Sequence, residues 1–330
     1  MCRRWLILGC LLVLSFTSKA GDTRIASLRG SWKFALGFKN EWIKPEYNDA
    51  DWDEVFVPKN WEDQGFYGYD GYACYRKKVV IKDFPEDRDL ILSLGRIDDC
   101  DEVYFNGKLV GFSGTFPPDF STAYNVYRKY VIPSEYVNIG RYNTIVVKVY
   151  DGEREGGIVD GDIALFLGEQ KPPFEINLSG MWQFKVGDKA DYKKPTFDDS
   201  RWNKLYVPKY WEEQGYKDYD GFAWYRKTFV ASEGLANDRV VIVLGKIDDQ
   251  DEVYLNGTYI GTPKTLISMD AGTRYNQLRV YYIDGSLLIP NKENTLAVRV
   301  YDSGGGGGIY EGPVGIMKQK AFVQFWRNKK

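Results

Sequence analysis

Apolar and polar positions alternate along most of this chain. Trp32 and Phe34 alternate with Ser31 and Lys33, the period of two expected of a strand with one buried face. The run Ala73-Cys74-Tyr75-Arg76-Lys77 places Cys74 and Arg76 on one face and Ala73 and Tyr75 on the other. Asp89 to Leu94 is a further apolar strand. Val103-Tyr104-Phe105 and Lys108-Leu109-Val110 flank Asn106-Gly107, a strong hairpin signal. Asn143 to Asp151 forms another strand, followed by Gly156-Gly157-Ile158. No amphipathic helix of ordinary length is predicted. About eight short strands per unit, punctuated by Gly, Pro, Asn and Asp, predict an all-β jelly-roll sandwich.

The pattern occurs twice. Leu94-Gly95-Arg96-Ile97-Asp98-Asp99-Cys100-Asp101-Glu102-Val103-Tyr104-Phe105-Asn106-Gly107 returns 150 residues later as Leu244-Gly245-Lys246-Ile247-Asp248-Asp249-Gln250-Asp251-Glu252-Val253-Tyr254-Leu255-Asn256-Gly257. Trp32, Trp52, Pro58, Trp61 and Tyr69 return as Trp182, Trp202, Pro208, Trp211 and Tyr219. The offset is 151 by Arg128 and Arg279, one residue having been gained in a long loop, where insertions are best tolerated. Gly168 to Pro173 reads as a fairly stiff linker because of its paired prolines. The expected organisation is a leader over 1–20 and two tandem jelly-roll β-sandwich domains over 21–170 and 171–330. Each is long enough to bury its own core.

Composition removes several functions. Histidine is absent, which excludes Ser-His-Asp and Cys-His catalysis and His-ligated metals. The formal charge is −2, with no basic stripe of the kind nucleic acid requires. Arg3-Arg4, an apolar run from Trp5 to Phe16 and Ser18-Lys19-Ala20 read as a secretory signal too short to span a bilayer. A lipoprotein reading through Cys10 is weaker, because the apolar run continues past it. No later segment is apolar enough for a membrane span, so the expected location is secreted or periplasmic. Cys74 and Cys100 remain after the leader. A bond between them is permitted outside the cytosol, although the second unit has Trp224 and Gln250 at these places.

The acidic cluster Asp98, Asp99 and Asp101 with Glu102, and its twin Asp248, Asp249 and Asp251 with Glu252, admits three readings. It can be a turn held by Asp side chains, a structural Ca²⁺ site, or a pair of glycosidase carboxyls about 5–10 Å apart. The turn is the simplest, and no other cofactor is required. The loops Trp61–Asp70 and Trp211–Asp220 are better candidates for a ligand, because sugars need aromatic platforms beside polar groups. Trp61 or Tyr69, and Trp211 or Tyr219, would be platforms, with Glu62, Asp70, Glu212 and Asp220 accepting hydroxyls. Alternatively Trp61 plugs the end of the sandwich, and Glu62 or Asp70 holds Arg76 or Arg128. Trp224 is either a platform unique to the second unit or core. Arg128 and Arg279, with Arg76 and Arg226, either clamp a carboxylated sugar or close internal ion pairs. Asp151 and Asp302 adjoin the glycine-rich loops and are candidates for a binding rim.

Taken together, Trp224-Tyr225-Arg226-Lys227, the Ile-Asp-Asp-x-Asp-Glu-Val-Tyr-x-Asn-Gly run from Ile247, Arg279, and Val300-Tyr301-Asp302 with Gly304 to Gly308 resemble a known module. It is the galactose-binding-like sandwich at the start of family 2 glycoside hydrolases, and it is similar to the sandwich accompanying sialate O-acetylesterases. The resemblance covers nearly all of both units. It implies a sandwich that assists chemistry done elsewhere, on a barrel carrying two glutamates or on an esterase domain. The expected function is non-catalytic carbohydrate binding, with a glycan or polysaccharide as partner and a separate catalytic chain as a second partner. An accessory part of a hydrolase or esterase system and a protein-contacting structural module are the alternatives.

Overall fold

A computed structural model describes residues 23–262 and 275–329; the expected leader lies outside the described residues. The first unit contains β1 (Arg24–Ser27), β2 (Gly30–Leu36), β3 (Asp53–Val57), β4 (Gly71–Val80) and β5 (Arg88–Asp98). It continues with β6 (Cys100–Phe105), β7 (Lys108–Ser113), β8 (Tyr127–Ile132), β9 (Tyr142–Asp151) and β10 (Gly157–Gln170). One sheet has the order β1-β10-β5-β8 and the other β3-β2-β4-β9-β6-β7.

The second unit repeats this plan. Its strands are β11 (Ile176–Asn177), β12 (Gly180–Val186), β13 (Asn203–Val207), β14 (Gly221–Val230) and β15 (Arg239–Asp248). There follow β16 (Gln250–Leu255), β17 (Thr258–Gly261), β18 (Leu278–Asp284), β19 (Glu293–Asp302) and β20 (Gly308–Lys318). The sheets run β11-β20-β15-β18 and β13-β12-β14-β19-β16-β17, so every strand has its counterpart ten places on. Among the described residues ten strands per unit replace the eight expected, because short edge strands such as β1 and β11 leave little mark on a hydropathy pattern.

The alternation determines the core. Leu90, Leu92 and Leu94 of β5 and Ile163 and Leu165 of β10 meet Trp32, Phe34, Tyr75, Phe105, Val147 and Val149 from the facing sheet, all buried. In the second unit Trp182, Phe184, Tyr225, Val240, Ile242 and Leu244 do the same. Each buried Trp32 and Trp182 indole N–H donates to a backbone carbonyl, Leu28 at 2.7 Å and Leu178 at 2.8 Å.

Among the described residues two α-helices, besides short 3₁₀ turns, accompany the strands: α1 (Glu233–Ala236) and α2 (Gln319–Asn328). The second corrects the expectation of no amphipathic helix. Phe322 and Trp326, one turn apart, stack at 4.4 Å and cover Val241, Val243 and Met317 on the outer face of the smaller sheet. Among the described residues no helix is long and apolar enough to cross a membrane.

The Cys74–Cys100 bond is also corrected. Both thiols are free and buried. Cys74 lies opposite Lys148 and Cys100 opposite Tyr150, on either side of β9. Two inter-strand spacings separate them by at least about 9 Å, beyond the reach of a disulfide.

Candidate functional site at the glycine-rich end of each sandwich

The loop after β3 folds back over the end of the sandwich, and Trp61 seals it. Trp61 is 0% exposed, 5.8 Å from the Phe34 ring and 6.0 Å from Tyr69, and its indole N–H donates to the Tyr69 carbonyl. The glycine-rich loop lies flat on it: a Cβ on Gly156 would be 2.2 Å from the indole. Trp211 and Gly307 repeat the arrangement at 2.1 Å. The glycines therefore accommodate a tryptophan and not a ligand, and neither Trp61 nor Trp211 is a platform. Glu62 accepts from the Gly156 N–H at 3.1 Å and Glu212 from Gly307 at 3.0 Å, tying the two loops together. Burial raises both carboxyls above their usual range. The Tyr69 and Tyr219 hydroxyls donate to the carbonyls of Tyr72 and Phe222. Only Asp70 and Asp220 of these loops are exposed among the candidates.

Trp224 is core, at 1% exposure, packed against Tyr192 and Tyr254 with its N–H on Asp188. In the first unit Cys74 leaves room that the larger Trp42 occupies at the place of Tyr192. The arginines are internal too. Arg76 pairs with Asp49 at 2.8 Å and Arg226 with Asp199, which corrects the expectation of Glu62 or Asp70 as partner. Arg128 and Arg279, both 1% exposed, pair at 2.7 Å with Asp101 and Asp251. Each also holds the turn above it, donating at 2.9 Å to the carbonyl of Asp99 or Asp249.

These pairs remove Asp101 and Asp251 from the acidic cluster. Asp101 points inward with Val103 and Phe105, and its second oxygen accepts from the Tyr130 hydroxyl. The carboxylates that do converge are Asp98, Asp99 and Asp151, and Asp248, Asp249 and Asp302, each set with ligand atoms within 4.8 Å. Asp98 ends β5, Asp99 follows it, and Asp151 ends β9 opposite Gly71, so each set joins the two sheets at one end of the sandwich. The Asp98–Asp99 and Asp248–Asp249 peptides are cis.

The electrostatics are unbalanced. Asp99 accepts from the Gly152 N–H at 2.9 Å and from the Thr122 hydroxyl. Asp151 is 0% exposed and, among the described residues, neither of its oxygens has a hydrogen-bond partner, although the nearby Glu153 N–H favours its anion. Burial, then the charge of Asp99, pushes Asp98 up to about 7; burial, then Asp99 and Asp98, pushes Asp151 up to about 7. Asp248 is pushed up to about 7 by burial and Asp249, and burial raises Asp302. At 4.8 Å, the outer limit of each set, two charges repel by about 3–4 kcal/mol at an effective dielectric of 20.

Beside this end lies an aromatic group that was not singled out in the sequence. Tyr72 and Tyr150 face each other across β4 and β9 at 4.9 Å, Phe116 stacks on Tyr72, and Phe120 packs on Tyr150 at 5.4 Å. Phe120 is 42% exposed and would touch a Cβ on Gly152 at 3.5 Å, next to Asp99. Lys148 lies 3.7 Å from the Phe116 ring centre and pairs with Glu102. The second unit has Phe222 and Tyr301 at 4.6 Å, with Arg299 over Phe222 and paired with Asp188 and Glu252. Tyr150 and Tyr301 were legible as the outward members of alternating strands.

These features define an all-β protein of antiparallel sandwiches, each with an acidic and aromatic end. No family model matches the chain. A putative β-glucuronidase of Formosa agariphila is 33% identical over 140 residues, covering 38% of this chain and 12% of its own length. A β-galactosidase of Vibrio vulnificus is 31% identical over 116 residues, covering 26% of this chain and 11% of the relative. A solved β-glucuronidase of Bacteroides uniformis matches 84% of this chain and 28% of its own at 15% identity, with a TM-score of 0.36. The chain thus spans only 11–12% of the length of these curated relatives. It resembles the sugar-binding sandwich of family 2 glycoside hydrolases.

Proposed function

We propose that the chain is an exported, non-catalytic carbohydrate-binding protein, its sandwiches holding glycan beside hydrolysis performed by a catalytic domain outside this sequence. The observation that carries this is the aromatic group Tyr72, Phe116, Phe120 and Tyr150, with Phe120 42% exposed on Tyr150 and Lys148, paired with Glu102, over Phe116. Aromatic faces accept the C–H surface of a sugar ring, and flanking polar groups orient its hydroxyls. The similarity to a putative β-glucuronidase and to a β-galactosidase supports a carbohydrate as the ligand class. The absence of histidine and the burial of Asp151 and Asp302 support a binding role over a catalytic one. A leader over residues 1–20 would deliver the protein to the periplasm or the medium.

Affinity electrophoresis through gels containing neutral and uronic-acid polysaccharides tests the reading. At least one should retard the chain, and Phe120→Ala should weaken retention about tenfold, equivalent to about 1.4 kcal/mol. Absence of retardation in every gel, or retardation unchanged by Phe120→Ala and Tyr150→Ala together, refutes it.

A further inference from the structure

Three carboxylates in a cluster are common on surfaces, so the number alone says little. What distinguishes these sets is the third member. Asp151 arrives from a different sheet than Asp98 and is fully buried; neither of its oxygens has a hydrogen-bond partner among the described residues, and one of them lies within 4.8 Å of a carboxylate oxygen of Asp98 and of Asp99. In the second unit Asp302 is equally buried; one oxygen accepts from the Gly304 N–H at 3.2 Å and the other has no partner among the described residues. A buried acceptor is ordinarily satisfied by a donor. Here the nearby cation in each unit, Arg128 or Arg279, is already committed to Asp101 or Asp251.

We propose that each set of three aspartates, Asp98, Asp99 and Asp151 and then Asp248, Asp249 and Asp302, binds one Ca²⁺ ion that fastens the two sheets of its sandwich together at the glycine-rich end. The choice of ion follows from the donors: three carboxylates suit the flexible shell of Ca²⁺, whereas Mg²⁺ keeps several waters and is usually held by one or two carboxylates. Ligands at about 2.3–2.6 Å from one Ca²⁺ are at most about 4.6–5.2 Å apart, whereas those of Mg²⁺ at about 2.0–2.1 Å are at most about 4.2 Å apart. Ligand atoms that all lie within 4.8 Å of one another are close enough to share one Ca²⁺. Three carboxylates leave coordination positions open on an ion that takes six to eight oxygens, and water fills them. The site is independent of the carbohydrate reading, because it requires no glycan.

The test is calorimetric, on the whole chain after chelator treatment and exhaustive dialysis. Titration with CaCl₂ should show two ions bound per chain, and millimolar Ca²⁺ should raise the melting temperature by several degrees while equal Mg²⁺ does much less. Asp151→Asn should reduce the stoichiometry to one, Asp302→Asn likewise, and the pair together to zero. The unsubstituted protein alone suffices if the variants fold poorly: no heat and no melting shift with Ca²⁺ overturns the proposal. A Mg²⁺ shift equal to that of Ca²⁺ overturns the choice of ion, and two Ca²⁺ ions retained in the folded double variant overturn the assignment of residues.

Discussion

Replacing Arg128 by methionine separates the energetics of the buried end of the sandwich from those of its surface. Methionine keeps most of the length of the side chain but leaves Asp101, 0% exposed, with the Tyr130 hydroxyl as its only remaining side-chain donor among the described residues. Breaking a buried pair in this way costs about 3–5 kcal/mol, because the stranded charge keeps its desolvation penalty. The carbonyls of Asp99, Ala123 and Val126 also lose a donor, which places the expectation at the upper end of that range. For a unit of this size the loss corresponds to a melting shift of roughly 6–20 °C. Arg24 and Asp162 provide the contrast: their separation is also 2.7 Å, but the side chains are 46% and 45% exposed, so Arg24→Met should cost at most about 1 kcal/mol. Adding Asp101→Leu to Arg128→Met should recover part of the loss by removing the stranded charge. Urea denaturation followed by tryptophan fluorescence measures all three variants. A loss below about 1 kcal/mol for Arg128→Met, or a double variant less stable than Arg128→Met alone, refutes the reasoning.

Gly307→Ala should destabilise by about 1–3 kcal/mol, because its Cβ would lie 2.1 Å from the Trp211 ring; in thermal melts, an unchanged midpoint would contradict the packing. Gly234→Ala in α1, where the nearest atom is 3.7 Å away, should instead stabilise by about 0.4–1 kcal/mol in the same assay. Trp211→Ala should cost about 3–5 kcal/mol, measured by urea midpoint, as expected for a sealed core residue and not for an exposed platform. Burial opposes ionisation of Asp49, but the hydrogen bond and charge of Arg76, then Lys78, outweigh it and hold the carboxyl below its usual range. That group contributes stability above the ordinary value of about 3.9, lost as pH falls through the lower native value. Asp49→Asn should therefore flatten the acid limb of the stability curve below about pH 4, and a limb parallel to that of the unsubstituted protein would contradict the pairing.

The fold was legible because alternation and the repeated Asn-Gly hairpin are local signals. The acidic cluster shows where local reading stops and where it could have gone further. Asp101 shares its face of β6 with Val103 and Phe105, and Asp151 shares its face of β9 with Val147 and Val149. Period two thus places both carboxyls in the interior, which already implied a buried partner for each. That Asp101 meets Arg128 while Asp151 meets Asp98 and Asp99 depends on the packing of one sheet on the other. The glycine-rich loops misled for a similar reason. A glycine run marks close approach of the backbone to something, and only the tertiary contact shows that the neighbour is an indole. The helix α2 left the signal Phe322, Phe325 and Trp326 at helical spacing, but over too few residues to stand out in a β-rich pattern.

That helix has a consequence for the order of assembly. The strip Val241, Val243 and Met317 is on the outer face of its sheet, and Phe322 and Trp326 cover it from residues made after β20. During synthesis the second sandwich can close its inner core while this strip is still bare, since the covering residues emerge after β20. The nascent chain therefore passes through a stage with an exposed apolar sheet face, the kind of surface that chaperones recognise and that promotes aggregation. Synthesis of α2, and not closure of the core, ends that stage.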